Sequence, residues 1–245
     1  MPHPVIFLDD GGVMNDNIRR GLRWQELVGE FFAPLLGGPP EAWQKANLLT
    51  SEELFEPANW QRRLQATSDY ASFDRLFLHD WLKNMCRFVG ITAPATEDCI
   101  ALAERATRAI LPRAHAAFPG AIEAIRTLFQ QGYTLYTASG ESSRDLAGYL
   151  QGMGVRDCFA PRLYGPDLIN TFKDGPEYYR RIFSEVGIAP ARAIVVDDTP
   201  LVIPWACQAG ARTVLVRKAS SEVSTDATWQ IASLAELPAL LAQLN

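Results

Sequence analysis

The chain has 245 residues, of which 48% are hydrophobic and 21% are charged, and its formal net charge is −5. These values are ordinary for a globular protein with a substantial buried core. The negative charge, without any Lys/Arg cluster, argues against a surface for nucleic acid or for anionic membranes. The length suits one large domain, or a core domain with a smaller insert.

The cysteines and the chain start indicate where the protein works. The four cysteines lie far apart, with no CxxC pair and no Cys/His metal-binding spacing. We expect reduced and mostly buried thiols, as in a cytoplasmic protein. The N-terminus lacks the regions of a secretory signal, and no stretch is long and apolar enough to span a bilayer. We therefore expect a soluble intracellular protein.

The first apolar run, Val5–Leu8, is followed directly by Asp9, Asp10, Gly11 and Gly12. This pattern predicts a buried parallel strand whose C-terminal end opens into a crevice. Ligands of open α/β sheets bind just beyond the carboxyl ends of the strands, so a carboxylate here would face a substrate. The glycines allow a tight turn and the close approach of another group to the main chain. Taken alone, the two acids are explained as well by the end of a strand and the start of a turn.

Residues 17–113 have helical spacing and contain four of the six tryptophans. Apolar residues recur at i, i+3, i+4 and i+7 in four segments, which are Leu22–Phe32, Ser51–Gln65, Ser72–Val89 and Thr96–Ile110. Ser51 and Thr96 are candidate N-caps. The Gly-Gly-Pro-Pro sequence at 37–40 predicts a break between helices. We predict an all-helical insert.

From residue 118 onward, helices alternate with strands. The predicted strands are Tyr133–Ala138, Ala193–Val196 and Thr213–Val216, with a shorter strand region at 158–164. The predicted helices are Ala121–Gln131, Ser139–Gly152, Pro176–Val186, Leu201–Ala209 and Leu234–Gln243. Strands separated by single helices imply a parallel sheet. We predict an α/β fold with a Rossmann-like parallel sheet core, residues 1–16 and 114–245, and an inserted helical cap domain, residues 17–113.

Three further polar sites follow predicted strands or precede predicted helices. Ser139-Gly140 can hold a phosphate oxygen at a helix N-terminus, although a serine there is most often a cap. Lys173 precedes a helix that opens with Pro176, but a lone surface lysine is usually solvated. Asp197-Asp198 ends a buried strand, and Mg²⁺ is commonly bound by one or two carboxylates together with water and phosphate oxygens.

The order of these polar residues along the chain resembles that of the four motifs of the haloacid dehalogenase (HAD) superfamily: Asp9, Ser139, Lys173 and the pair Asp197-Asp198. The matching segments are residues 8–16, residues 136–140, Lys173 with Pro176-Glu177, and residues 195–200 with Ala206 and Ala209-Gly210. The helical insert between the first two motifs is similar to the family's C1-type cap. The resemblance covers essentially the whole chain and implies a hydrolase.

By this resemblance the protein is a Mg²⁺-dependent phosphohydrolase, and Asp9 is the nucleophile that forms an aspartyl-phosphate. The implied Mg²⁺ ligands are Asp9, the Gly11 carbonyl, Asp197 and Asp198. The ion would screen the repulsion between an anionic nucleophile and an anionic phosphate.

The resemblance also assigns the groups that bind the substrate. Ser139, Gly140 and Lys173 would hold the oxygens of the transferring group, with Ser139 and Lys173 counted beside Asp9 as catalytic residues. The implied partner is a small phosphorylated or otherwise activated metabolite.

The sequence departs from the family at Gly11. The family's phosphatases carry a second Asp two residues after the nucleophile, which protonates the leaving group and then activates water. Asp10 is not expected to replace it, because neighbouring side chains of a strand point to opposite faces. Losing a general acid/base typically costs about 10²–10⁴-fold in rate, and less with good leaving groups.

Three functions therefore stay open. The first is a Mg²⁺-dependent hydrolase of an activated substrate such as an acyl phosphate, or one whose acid/base comes from the cap. A cap lysine (Lys45 or Lys83, as in phosphonatases) and His115 near the second hinge are candidates for that group. The second is a metal-free haloacid dehalogenase, against which the Asp197-Asp198 pair argues. The third is a non-catalytic protein that binds a phosphorylated ligand.

Overall fold

The computed structural model describes residues 3–217 and 226–243. The chain divides into two compact units, the core unit (1–17 and 116–245) and the helical unit (18–115). Parts of the predicted core domain, residues 1–2, 218–225 and 244–245, lie outside the described residues. The assignment of the units as a catalytic core and a cap stays a prediction. None of the helices described is long and apolar enough to cross a membrane.

The helical unit contains no strand. Its helices are α1 Asn17–Leu36, which begins at the last residue of the core unit, α2 Pro40–Phe55, α3 Pro57–Ala66, α4 Tyr70–Val89 and α5 Thr96–Ile110. The predicted break at 37–40 is confirmed, because Gly37 and Gly38 both have positive φ and Pro40 opens α2. The interior is aromatic, with Phe32 stacked on Trp43 at 5.1 Å between ring centroids.

Two local predictions for the helical unit are wrong. Residues 51–65 form parts of two helices, because Pro57 cannot continue the hydrogen-bonded ladder of α2. Ser51 lies inside α2 and is not an N-cap. The cap of the second helix, α3, is Glu56, whose carboxylate accepts the Asn59 N–H. At the start of α5 the N-cap is Ala95, and no side chain caps the helix there.

The core unit contains a five-stranded parallel sheet of order β2-β1-β3-β4-β5, which confirms the predicted α/β fold. The strands are β1 Val5–Leu8, β2 Thr134–Thr137, β3 Ala193–Asp197, β4 Arg212–Val216 and β5 Trp229–Ile231. Sequence analysis missed β5, and the region 158–164 contributes only isolated bridges beside β2.

Helices cover both faces of this sheet. They are α6 Ala121–Gln130, α7 Ser143–Gly152, α8 Pro166–Ile169, α9 Pro176–Val186, α10 Val202–Gln208 and α11 Leu237–Ala242. Ile6 and Leu8 pack on one side with α6, α7 and α11. Val5 and Phe7 pack on the other with α8, α9 and α10. All four β1 residues are buried, as in a strand covered by helices on both faces.

Candidate active site

The acidic residues after β1 and β3 meet at the carboxyl edge of the sheet. Leu8, the last residue of β1, is aligned with Thr137 of β2 and Val196 of β3. The Asp9 N–H donates to the Val196 carbonyl at 3.0 Å, so the sheet holds the backbone as far as Asp9. In a sheet of this strand order, the crevice between β1 and β3 is the switch point where ligands bind.

Lys173 joins the two strand ends. Its Nζ lies 2.9 Å from Asp9 Oδ1 and 2.6 Å from Asp197 Oδ2. The second Asp197 oxygen, Oδ1, accepts the Thr199 N–H at 2.9 Å. The side chains of Lys173, Asp9 and Asp197 are only 9%, 11% and 1% exposed. The structure thus brings together three of the predicted site residues in a nearly buried ionic cluster.

This environment changes the proton affinities of the cluster. Burial raises the pKa of Asp197 to about 6; the Lys173 ammonium opposes this rise and the Asp9 carboxylate adds to it. Burial by itself lowers the pKa of Lys173, but Asp197 and Asp9 outweigh that effect and raise this pKa well above its usual range. Lys173 is therefore a cation at neutral pH, where Asp197 is mostly ionised.

Asp198 lies against the turn that follows β1. A Cβ atom on Gly12 would be 1.9 Å from Asp198 Oδ2, far inside any permitted contact. The φ of Gly12 is +84°, a left-handed conformation that favours glycine. Gly12 is therefore required both by the backbone and by the Asp198 carboxylate. The close approach of another group to the main chain was predicted for the paired glycines, but that group was not identified as Asp198.

The three carboxylates suit a metal ion. One oxygen from each of Asp9, Asp197 and Asp198 can be chosen so that all lie within 4.8 Å of one another. Oxygen ligands of octahedral Mg²⁺, at about 2.1 Å from the ion, are at most about 4.2 Å apart, so small side-chain movements bring the set into range. Both Asp197 oxygens already accept hydrogen bonds, from Lys173 and from the Thr199 N–H. Asp9 and Asp198 are therefore better placed to bind the metal ion. Ligation by the Gly11 carbonyl, in the same turn, stays a prediction.

The Ser139-Gly140 segment leaves the sheet beside Asp9, because the preceding Ala138 N–H donates to the Leu8 carbonyl at 2.9 Å. Ser139 is 2% exposed, and its Oγ accepts the Glu141 N–H at 3.3 Å. The hydroxyl of Tyr178, a fully buried residue of α9, donates to the Ser139 carbonyl at 2.6 Å. Nothing in the sequence indicated this role of Tyr178.

The helix after Ser139 begins later than predicted, at Ser143. The Ser142 hydroxyl accepts the Asp145 N–H, and Asp167 Oδ1 accepts the Ser143 N–H at 2.8 Å. These partners occupy amides of the first turn of α7. The predicted start of this helix at Ser139 is therefore wrong, and binding of a phosphate by the Ser139-Gly140 segment stays a prediction. The groups that remain for this role are the Ser139 hydroxyl, the Gly140 backbone and Lys173.

Asp10 faces away from the ionic cluster. It is fully buried, and its Oδ1 accepts Asn15 Nδ2 at 2.7 Å. Asn15 Oδ1 in turn accepts the Ala116 N–H at 2.8 Å. This arrangement agrees with the alternation of side chains expected after a strand. Asp10 therefore anchors the returning chain, and Asp9 faces the crevice.

The candidate acid/base groups of the helical unit have unremarkable surroundings within that unit. Lys45 and Lys83 are exposed, as ordinary surface lysines are, and His115 is half-buried. His79 Nδ1 lies 3.3 Å from Asp80 Oδ1. We assign no chemical step to these residues.

Comparisons with known proteins identify the family. A family model described as a haloacid dehalogenase-like hydrolase matches residues 25–210, which is most of the chain. The chain belongs to this family of hydrolases. The matched range contains Ser139, Lys173 and Asp198 but begins after β1, so Asp9 lies outside it. No curated protein sequence matches the chain significantly.

Solved structures similar to the chain include both dehalogenases and phosphatases. L-2-haloacid dehalogenase from Xanthobacter autotrophicus, with chloropropionic acid covalently bound, has a TM-score of 0.62 and 15% identity over 99% of this chain and 100% of that one. The HAD phosphatase from Thermococcus onnurineus has a TM-score of 0.59 and 18% identity over 97% of each chain. CbbY from Rhodobacter sphaeroides, in complex with phosphate, has a TM-score of 0.57 and 19% identity over 96% of each chain. At these identities the likeness shows the fold alone.

Proposed function

We propose that the protein is a Mg²⁺-dependent phosphohydrolase in which Asp9 attacks phosphorus. The observation that supports this most is the charge of the cluster at the carboxyl edge of the sheet. It contains three carboxylates and one ammonium, those of Asp9, Asp197, Asp198 and Lys173. Two net negative charges would repel an anionic substrate, and one divalent cation cancels them.

The donor set fits Mg²⁺, a hard cation that prefers oxygen ligands. Asp9 and Asp198 would hold the ion, with Asp197 and the Gly11 carbonyl as further ligands. When bound, the ion supplies the positive charge that lets a phosphate approach the carboxylates and that polarises its P–O bonds.

Lys173 orients the nucleophile and the substrate together. An ammonium has three N–H donors, and two of them already serve Asp9 Oδ1 and Asp197 Oδ2. The third can donate to an oxygen of the transferring phosphoryl group. Because Oδ1 of Asp9 is held by Lys173, its Oδ2 is the oxygen that attacks. The Asp9–phosphorus bond forms as the bond to the leaving group breaks.

Ser139 and Gly140 bind the phosphoryl group from the neighbouring strand end. Since Ser139 Oγ accepts the Glu141 N–H, the hydroxyl proton is left to donate to a phosphoryl oxygen. Tyr178 fixes the Ser139 backbone from α9, the helix that begins three residues after Lys173. The two phosphate-binding segments are therefore positioned by one element.

A 2-haloacid dehalogenase is the second candidate, because such enzymes share the fold. Its substrate carries a carboxylate, which would have to enter a site with two net negative charges. The charge argument favours the phosphohydrolase.

The test is release of inorganic phosphate from acetyl phosphate, phosphomonoesters and phosphonoacetaldehyde, with Mg²⁺ and after its removal by EDTA. We expect turnover that requires Mg²⁺ and that falls at least about 10³-fold in Asp9→Asn, since no other group supplies the nucleophile. Halide release from 2-haloacids that persists in EDTA would instead establish the dehalogenase. Equal behaviour of the wild type and Asp9→Asn on all substrates would leave a ligand-binding protein and contradict the proposal.

A further inference from the structure

The side chain of Asn17 lies directly against Gly11. A Cβ atom on Gly11 would be 2.6 Å from Asn17 Oδ1 and 2.8 Å from Asn17 Nδ2. Gly11 is not among the residues with positive φ, so its backbone would accept any side chain. The absence of a side chain at position 11 therefore serves to make room for the Asn17 carboxamide.

The turn that carries Gly11 is the one that carries the nucleophile. Gly11 comes two residues after Asp9, and the next residue, Gly12, is in contact with the Asp198 carboxylate. Asn17 and Asp198 thus contact successive residues of one short turn at the carboxyl end of β1. Both lie in the core unit. The Asn17 carboxamide therefore occupies the space that a side chain at position 11 would take, two residues after the nucleophile.

The chemistry of a carboxamide differs from that of the acids around it. It donates and accepts hydrogen bonds but has no proton that titrates in the physiological range. Two other ionisable groups of the site have other tasks: Lys173 bridges two carboxylates, and the Tyr178 hydroxyl donates to the Ser139 carbonyl. In the space of a side chain at position 11, the turn thus offers a leaving group the Asn17 amide, which is a hydrogen-bond donor, in place of a titratable group.

We infer that Asn17 positions the leaving group and restricts the site to substrates whose leaving group departs as a weak base, with acyl phosphates as the class. This inference rests on the proposed phosphohydrolase. The Asp9–phosphorus bond forms while the phosphorus–oxygen bond to the acyl group breaks, and a carboxylate leaves unprotonated, accepting a hydrogen bond from Asn17 Nδ2. Water then attacks phosphorus, and phosphate and a proton are released to solvent as Asp9 is restored.

The experiment compares acetyl phosphate with aryl phosphates of increasing leaving-group basicity, from dinitrophenyl to phenyl. In the wild type, turnover should fall steeply along this series. Asn17→Asp places a titratable group at the same position and should raise turnover of phenyl phosphate about 10²-fold, with a new ionisation in the pH profile of kcat. Gln131→Glu, an exposed change before β2 at the opposite edge of the sheet, adds the same charge and should change neither.

Two further variants remove the amide contact without adding an acid. Asn17→Ala should lower kcat/KM for acetyl phosphate about 5-fold, the effect of one lost hydrogen bond. Gly11→Ala should reproduce this loss, because its methyl group displaces the amide. Two results would overturn the inference. One is a wild type that turns over phenyl phosphate as fast as acetyl phosphate, and the other is an Asn17→Ala variant with the same turnover as the wild type on every substrate.

The Asp9→Asn variant separates this inference from the proposed function. If Asp9→Asn keeps full turnover, the phosphohydrolase itself is contradicted. If Asp9→Asn loses turnover but the Asn17 variants behave like the wild type, only the inference is contradicted.

Discussion

Both the core unit and the helical unit have exposed ion pairs, such as Arg162–Glu185 in the core unit, but the core unit also has a nearly buried cluster of charges. In the core unit, Asp9, Lys173 and Asp197 form a nearly buried cluster at one edge of the sheet. In the helical unit, several ion pairs join exposed side chains. Three such pairs are Arg75–Glu97, Arg87–Glu53 and Arg113–Glu30. The more buried pair there, Arg63–Asp80, connects α3 to α4, and Arg63 also donates to the Leu54 carbonyl.

This contrast distinguishes charges that stabilise the fold from charges that belong to a functional site. Exposed ion pairs are worth about 0–1 kcal/mol each, and burying charges costs more than their attraction commonly returns. In agreement with this, the ion pairs named above for the helical unit lie at its surface or join its helices. A buried cluster with a raised Asp pKa at a ligand-binding edge is instead typical of a functional site. The predictions below test this distinction.

The largest effect is expected when the cation of the cluster is removed. Lys173→Met leaves the Asp9 and Asp197 carboxylates without it, and breaking a buried ion pair from one side costs about 3–5 kcal/mol. The measurement is the free energy of unfolding in urea at pH 7. The loss of unfolding free energy should shrink as the pH falls from 7 toward 3.8, the usual pKa of Asp. Folding raises the pKa of Asp197, so its carboxyl group destabilises the folded state only at pH values at which it is ionised in the unfolded chain.

The matched control for that change is Lys83→Met, which removes an exposed lysine of the helical unit. Its effect should stay within about 0.5 kcal/mol. Equal losses in the two variants would remove the contrast between the units.

The next effect concerns the contact between Gly12 and Asp198. Gly12→Ala adds a left-handed strain of about 1–2 kcal/mol and also displaces the carboxylate. Gly132→Ala has the same φ of +84° but meets no atom within 4 Å, so it isolates the strain. We expect Gly12→Ala to be the less stable variant by thermal unfolding and to weaken Mg²⁺ binding at least about 10-fold by calorimetry. The account fails here if both variants bind Mg²⁺ like the wild type.

A smaller effect should distinguish the two adjacent acids. Asp10→Ala removes the carboxylate acceptor of the buried Asn15 Nδ2 and leaves it only the weak acceptor Met153 Sδ, and an unsatisfied buried N–H costs about 1–3 kcal/mol. The loss should appear in the urea midpoint, whereas kcat for acetyl phosphate should change little. Turnover abolished at unchanged stability would instead show that Asp10 faces the substrate.

The smallest effect needs no substitution. Burial raises the pKa of Cys86 in the helical unit to about 11 and also raises that of Cys99. Both thiols are fully buried, whereas Cys207 in the core unit is partly exposed. At pH 8, iodoacetamide should label Cys207 in the native protein well before Cys86 and Cys99, as followed by peptide mass spectrometry. Similar rates at the three positions would show that the interior of the helical unit is open.

The parts of the fold that depend on nearby residues were predictable from the sequence. The run Val5–Leu8 predicted β1, an inner strand of the sheet, and residues 37–40 predicted the break between α1 and α2. The order of polar residues at strand ends, through the family resemblance, placed Asp9 with Lys173 although 164 positions separate them. Strand β5 was missed because three residues are too short for a periodic signal.

The errors and omissions come from contacts between distant segments. The helix after Ser139 starts late because Ser142 caps it by accepting the Asp145 N–H, and Asp167, 24 residues away, also accepts the Ser143 N–H. The paired glycines predicted the close approach of some group to the main chain, but nothing local identifies that group at Gly12 as the Asp198 carboxylate. The same holds for Asn17 beside Gly11 and for Tyr178 at Ser139. Such pairings are set by tertiary packing, which local sequence patterns do not encode.

The most direct test of the central claim is to find the phosphoryl group on the nucleophile. The protein is mixed with acetyl phosphate and Mg²⁺, quenched in acid within the first turnover, and digested for mass spectrometry. The account predicts the mass of one phosphoryl group on the peptide that contains Asp9, absent after EDTA treatment and in Asp9→Asn. An unmodified Asp9 peptide from protein that turns over acetyl phosphate, or a phosphoryl group on another residue, would contradict it.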